Sequence, residues 1–427
     1  MNRIKKKRLL LALLLFLLAA ACSGCRLRTG DGLLTAPIPS GVPAGLQKAL
    51  SGVLRGGNTF CAPEAGSDRT SVRFADLDGD GRDEAIALLQ NTDDQTLTVC
   101  VFSEADGRYR ELGRVSGAGY GFSRVEIAPL NAASGAQLVL TRTLTAETDK
   151  IIEVLSVREG VLAKTVSDTC TDFALVRTED GQRLVTVRTG GLAKLFDMET
   201  DGVPTEKKVS LSADLTRLLN VCGGCLQKGL PAVFVTGSRE DGTCVTEALS
   251  LQDGALRDLG TVGQADGLLF PTDLDGDGIT ELPERLTLSQ EDGENDFSLV
   301  KWYSLDRKGK RTLRCTTLPC PSGEWYLIVP ERWNDQITVR TLSADGGEGL
   351  EIAQLRDGEQ ALPIVSVYTF RGENRSVRGA SEGRFVVAEK GGCTYSAQLG
   401  TSAWANLLTQ ETFREIFKLS GSDPAGS

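Results

Sequence analysis

The sequence predicts an all-β chain with a short helix at each end. Three observations predict it: short runs of alternating apolar and polar residues, Asp-Gly pairs that punctuate them, and a turn-then-strand unit recurring about every 50 residues. Alternation sends successive side chains to opposite faces. Runs such as Thr96-Leu97-Thr98-Val99-Cys100-Val101-Phe102 and Arg183-Leu184-Val185-Thr186-Val187-Arg188 therefore read as half-buried strands. Asp-Gly supplies the positive φ angles of tight hairpin turns, so Asp106, Asp180, Asp201, Asp241, Asp253, Asp266, Asp292, Asp345 and Asp357 are candidates to link antiparallel neighbours.

From the N-terminus, Arg3, Lys5, Lys6, Lys7 and Arg8 precede an apolar run from Leu9 to Ala21. That run is shorter than the roughly 20 residues a helix needs to cross a bilayer, so residues 1–21 read as a signal segment. Its end, Leu18-Ala19-Ala20-Ala21-Cys22, resembles a bacterial lipobox, with Ala19 where leucine is usual. The resemblance implies a lipid-modified Cys22, with Cys25 the alternative acceptor, and a protein anchored outside the cytoplasm by its acyl chains. Residues 22–41, rich in Gly, Pro, Ser and Thr, read as a tether. Over 42–56, Pro43 suits a first helical position, and Leu46, Ala49, Leu50, Val53 and Leu54 form one apolar stripe. Over 401–427, Trp404, Leu407, Leu408 and then Phe413, Ile416, Phe417 repeat that spacing before a polar tail.

Between the helices, over 57–400, Gly81, Gly135, Gly181, Gly229, Gly278, Asp335 and Gly383 each lead into a strand, at steps of 46 to 57 residues. Seven units, each long enough for four short strands, predict a seven-bladed β-propeller, with six or eight blades also allowed by the spacing.

Composition narrows the function. The net charge is −10, and without the basic residues of the signal it falls to about −15. Such a surface repels nucleic acid and favours divalent cations. The chain has no histidine, which removes Ser-His-Asp and Cys-His catalysis and His-ligated zinc. Eleven cysteines suit a compartment where disulfides persist. Cys222-Gly223-Gly224-Cys225 has redox-motif spacing but no surrounding βαβ pattern, which favours a tight disulfide or two free thiols. Trp302, Tyr303, Trp325, Tyr326 and Trp333 gather in the fifth and sixth units as wedge filling between strands or as a ligand surface, the first reading being the stronger.

Two units carry sharper chemistry. Asp76-Leu77-Asp78-Gly79-Asp80-Gly81-Arg82-Asp83-Glu84 and Asp273-Leu274-Asp275-Gly276-Asp277-Gly278-Ile279-Thr280-Glu281 place carboxylates at positions 1, 3, 5 and 9, with glycines at 4 and 6. The carbonyls of Arg82 and Ile279 at position 7 can turn inward. Such a loop suits a hard cation with six to eight oxygen ligands, and calcium fits best. An EF-hand would need flanking helices and a glutamate at position 12. That position holds Ala87 in the first loop, and Glu284 beside Pro283 in the second.

The pattern of strand, DLDGDG, two residues, acid, strand resembles the FG-GAP or VCBS repeats of calcium-binding β-propellers, with two matching loops and five units alike in spacing only. The resemblance implies that Asp76, Asp78, Asp80, Glu84, Asp273, Asp275, Asp277 and Glu281 ligate calcium and brace their blades. The expected function is a membrane-anchored, non-enzymatic binding or scaffolding module for a surface protein or glycan. The alternative is a polysaccharide-acting lyase or hydrolase that works without histidine.

Overall fold

The computed structural model describes residues 39–55, 57–130, 135–144, 149–198, 204–266, 269–288, 297–356 and 358–420. The expected signal segment, Cys22, Cys25, most of the tether, the last seven residues and the Asp-Gly pairs at Asp201, Asp292 and Asp357 lie outside them. The described residues are mostly strand, 61%. Among the described residues no helix is long and apolar enough to cross a membrane. They form two compact units, the first drawn from 39–127, 135–144 and 151–167, the second from 128–130, 149–150 and 168–420.

In the first unit α1 (Ala44–Val53) buries Leu46, Leu50 and Val53, the stripe read from the sequence, against Ala85, Ala87 and Phe102. One sheet joins β1 (Asn58–Phe60), β2 (Val72–Ala75), β3 (Glu84–Asn91), β4 (Thr96–Ala105) and β5 (Arg108–Ala118), with β1 and β2 both on β3. The next orders β6 (Gly121–Ala128), β7 (Gln137–Thr143), β8 (Lys150–Arg158) and β9 (Val161–Cys170).

The second unit continues with β10 (Asp172–Thr178) to β13 (Pro204–Ser210) through β11 (Gly181–Arg188) and β12 (Leu192–Met198), then β14 (Arg217–Gln227), β15 (Leu230–Ser238), β16 (Cys244–Gln252) and β17 (Ala255–Ala265). A fifth sheet holds β18 (Leu282–Thr287), β19 (Ser298–Leu305), β20 (Arg311–Pro319) and β21 (Trp325–Val329). A sixth holds β22 (Ile337–Ala344), β23 (Gly347–Arg356), β24 (Glu359–Arg371), β25 (Phe385–Lys390) and β26 (Cys393–Leu399). All the strand pairings described within these sheets are antiparallel.

The first four recurring segments found in the sequence are the inner strands β3, β7, β11 and β15, whereas those after Gly278 and Asp335 are the edge strands β18 and β22. Each of the four inner strands is covered on both faces, which is why their apolar runs are nearly continuous. Outer strands alternate or face water, as β5 and β13 do. Asp106-Gly107, Asp253-Gly254 and Asp345-Gly346 turn with both φ angles positive, between 50° and 73°, as two-residue hairpins require. Glu159-Gly160 does the same at 50° and 70°.

The seventh expected unit does not make a sheet of its own among the described residues. Its segment from Gly383 becomes β25, turns at Gly391-Gly392 and pairs with β26, which lies on the long β24. After α2 (Arg375–Gly379), the C-terminal α3 (Gln410–Ile416) opens on a Thr409/Thr412 capping box. It stops at Ile416. Phe417 instead starts β27 (Phe417–Leu419) on the edge of β21, its ring 5.5 Å from Trp325 and 5.9 Å from Tyr395.

Candidate metal centres

The first loop, Asp76 to Glu84, joins β2 to β3; the second, Asp273 to Glu281, leads into β18, with Thr272 and Glu281 bridged across its base. The backbone curls at the same places in both. φ is 81° and 84° at Gly79 and Gly81, and 77° and 85° at Gly276 and Gly278. Gly81 and Gly278 have open space where a Cβ would stand, so the left-handed backbone rather than crowding demands glycine there.

The two loops make the same hydrogen bonds. The amides of Gly79 and Gly81 donate to the two oxygens of Asp76 at 2.6 and 2.9 Å, and those of Gly276 and Gly278 to Asp273 at 2.8 and 2.9 Å. Asp78 accepts from the Asp80 amide at 3.0 Å, and Asp275 from that of Asp277 at 3.1 Å. Each closing glutamate reaches back across its loop: Glu84 accepts from Leu77 at 2.9 Å, Glu281 from Leu274 at 3.0 Å.

These bonds bring positions 1, 3 and 9 together. One oxygen from each of Asp76, Asp78 and Glu84 lies within 4.8 Å of the others, and Asp273, Asp275 and Glu281 repeat the cluster. Position 5 is drawn aside. Asp80 pairs with Arg82 at 2.9 Å and Asp277 with Arg314 of β20 at 3.1 Å. The amides of Arg82 and Ile279 donate to those same aspartates at 2.8 Å, and the position-7 carbonyls expected as ligands belong to these two residues. Nothing in the sequence pattern signals Arg314, which arrives from a strand 37 residues away.

Burial sets the electrostatics. Glu84 and Glu281 are 1% and 2% exposed. Burial first, and then the three neighbouring aspartates, push Glu281 up to about 7, and the same causes raise Glu84. Oε1 of Glu281 is buried with no hydrogen-bond partner. An unmet carboxylate oxygen facing two more carboxylates is what a cation satisfies, and an all-oxygen donor set suits calcium. A strand follows each loop, β2 precedes the first and the bridged Thr272 the second, and neither position 12 joins a cluster: Ala87 is buried in β3, and Glu284 of β18 pairs with Arg311. The EF-hand is excluded on geometry.

Each loop rests on a neighbouring strand end. Gly135 lies so close to Leu77 and Gly79 that a Cβ would come within 2.6 Å of their backbone, and the Ala136 amide donates to the Asp76 carbonyl at 2.9 Å. In the second loop the Thr280 amide donates to the Cys225 carbonyl at 2.8 Å, and a Cβ on Gly224 would stand 2.0 Å from the Thr280 hydroxyl. The Cys-x-x-Cys segment is therefore the edge strand β14. Strand geometry points residues three apart to opposite faces. Both thiols are free, with burial pushing Cys222 up to about 12 and Cys225 in the same direction. The nine described cysteines are all free. Trp302, Trp325 and Trp333 are buried, the last two inside the largest core of the second unit, as the wedge-filling reading expects.

No family model and no curated protein matches this sequence, so the FG-GAP/VCBS resemblance stands on its two loops. Solved structures do match. A candidate 6-phosphogluconolactonase from Bacteroides uniformis is 14% identical over 71% of this chain and 93% of its own, with a TM-score of 0.35. A second, from Bacteroides fragilis, is 14% identical over 72% of this chain and 93% of its own, TM-score 0.33. The periplasmic gluconolactonase of Pseudomonas aeruginosa is 14% identical over 71% and 86%, TM-score 0.33. The expectation of a binding or scaffolding module that is not an enzyme is corrected by these matches, which carry enzyme names. At 14% identity and TM-scores of 0.35 and below, the likeness brings no substrate to this chain.

Proposed function

We propose that this chain is an extracytoplasmic enzyme, held at a membrane by a lipid on Cys22, whose sheets are the blades of a calcium-braced β-propeller and which acts on carbohydrate material without histidine. The observation that supports the calcium part of the proposal is the pair of three-carboxylate clusters with matching hydrogen bonds and buried closing glutamates, and the enzyme part follows the alternative reading of the sequence. Asp76, Asp78 and Glu84, and Asp273, Asp275 and Glu281, would hold the ions, with Asp80 and Asp277 recruited from their arginines. Calcium, when bound, supplies the positive charge that these clustered acids lack. The closing glutamates, buried at the start of β3 and just before β18, then tie loop to sheet. Proton transfer falls to carboxylates, tyrosine, lysine or arginine, because the chain holds no histidine.

The test is turnover. The purified protein, in calcium and again after chelation, is incubated with a panel of neutral and acidic polysaccharides and with gluconolactone and 6-phosphogluconolactone. New reducing ends, unsaturated sugars or released acid from one class, lost on chelation and restored by calcium, supports the reading. No product from any member at millimolar calcium sinks it. The anchor is tested separately: an alkyne fatty acid should label the protein in cells, and Cys22→Ala should abolish the label.

A further inference from the structure

Within the second unit a cavity of about 590 Å³ opens between the β20–β21 turn and β22–β24, a size within the roughly 300–1,000 Å³ of small-molecule sites. We infer that it binds a neutral, polyhydroxylated ligand, a sugar unit, at a place distinct from both acidic loops. The inference rests on the enzyme reading above for its ligand class, and on the cavity's own chemistry for its location.

One wall is a sheet face. The register Ser343↔Glu348↔Thr369 sets three polar side chains in a row across β22, β23 and β24. Pleating puts Arg371 on the same face as Thr369, and Leu350 on the same face as Glu348. The other wall is the turn from Cys320 to Trp325. It is closed by the Cys320 amide donating to the Trp325 carbonyl and the Gly323 amide to the Cys320 carbonyl, both at 3.0 Å. That turn presents Ser322 and Glu324. Arg371 Nη2 reaches across and donates to both oxygens of Glu324 at 2.6 Å, so the walls are tied by an ion pair.

The charge balance selects the ligand. Arg371 is answered by Glu324, and Glu348 adds an exposed carboxylate, so the cavity carries a net negative charge and disfavours phosphates and sugar acids. What it offers instead is carboxylate acceptors beside serine and threonine hydroxyls that both donate and accept. A neutral sugar complements this set, because each of its hydroxyls can donate to a carboxylate while accepting from a neighbouring hydroxyl or the guanidinium. The base of the cavity is lined by the buried Leu350 and Trp325 of the core beneath it. The sequence held no sign of the site: Glu324 and Glu348 are 24 residues apart and follow no shared motif.

The experiment is saturation-transfer NMR and titration calorimetry on the full protein in detergent, with cellobiose, maltose and lactose as probes and gluconate as the anionic control. At least one neutral disaccharide should bind and gluconate should bind more weakly. Ser343→Trp, which fills the cavity from an exposed strand position, should abolish binding with the melting temperature unchanged. Glu348→Gln should weaken it about tenfold through loss of charged hydrogen bonds. Absence of binding by all three sugars, preference for gluconate, or binding untouched by Ser343→Trp would each overturn the site. Sugar bound in this cavity without turnover of any substrate removes the enzyme reading and leaves the site. Turnover of a carbohydrate substrate with no sugar bound in this cavity does the reverse.

Discussion

The two acidic loops share a nine-residue pattern, the same glycine backbone and the same hydrogen bonds, yet their surroundings differ. In the first, Asp80 is held by Arg82 from inside the loop; in the second, Asp277 is held by Arg314 from another strand. The first rests on Gly135 and Ala136, the second on Gly224 and Cys225. Glu281 is pushed to about 7 and leaves one buried oxygen without a partner, while Glu84 is raised by the same causes. The difference teaches that the donor set is local, whereas its protonation, and in the second loop its competing cation, are tertiary.

Removing calcium from both loops should have the largest effect. With dissociation constants on the order of 10⁻⁴ M, typical of extracellular sites, and about 1 mM calcium, each site stabilises by about 1.4 kcal/mol, or about 3 kcal/mol for two independent sites. Chelation should lower the melting temperature and calcium restore it. A melting curve indifferent to chelator, with no calcium retained on elemental analysis, would break both halves of the comparison. Magnesium should rescue poorly, because it demands octahedral geometry and sheds water reluctantly.

Single-loop variants sharpen the comparison. Asp78→Ala and Asp275→Ala should each remove about 1.4 kcal/mol of that response and one calcium from the titrated stoichiometry. If either alone removed both ions, the loops would be coupled rather than independent.

Acidity should separate the loops further. Without metal, Glu281 contributes stability that is fully present below its ordinary value of 4.5 and is lost as pH rises through about 7. Calcium needs the ionised carboxylate, so its affinity for the second loop should fall roughly tenfold for each pH unit below about 7. The first loop should keep its calcium to lower pH. Titration calorimetry of Asp78→Ala and Asp275→Ala at pH 5.5 and 7.5 isolates each loop, and equal losses would erase the difference. The smallest effect should come from Arg82→Ala and Arg314→Ala. Each frees a position-5 aspartate for the ion and should tighten calcium a few-fold at most, since exposed ion pairs are weak.

Much of this molecule was legible in its sequence. Alternation and inner apolar runs disclosed the strands, and the Asp-Gly hairpins at Asp106, Asp253 and Asp345 followed from the positive φ angles that such pairs adopt cheaply. The α1 stripe was legible because helical spacing is a local signal. The seventh unit misled because its strand has the right spacing but pairs with β26. Phe417 fits the helical spacing yet leaves the helix, because pairing with the β21 edge and burial against Trp325 and Tyr395 of β26 outweigh one more turn.

By itself the sequence determined the two loops: nine contiguous residues contain the acids, the turn glycines and the amides that orient them, so no distant partner is needed to bring positions 1, 3 and 9 together. Only the tertiary structure decided that Arg314 competes at Asp277, that burial lifts Glu281, that the Cys-x-x-Cys thiols point apart on an edge strand, and that Glu324 and Glu348 share a cavity. Each depends on strand register or on the exclusion of water, which act between residues far apart in the chain and leave no pattern in their spacing.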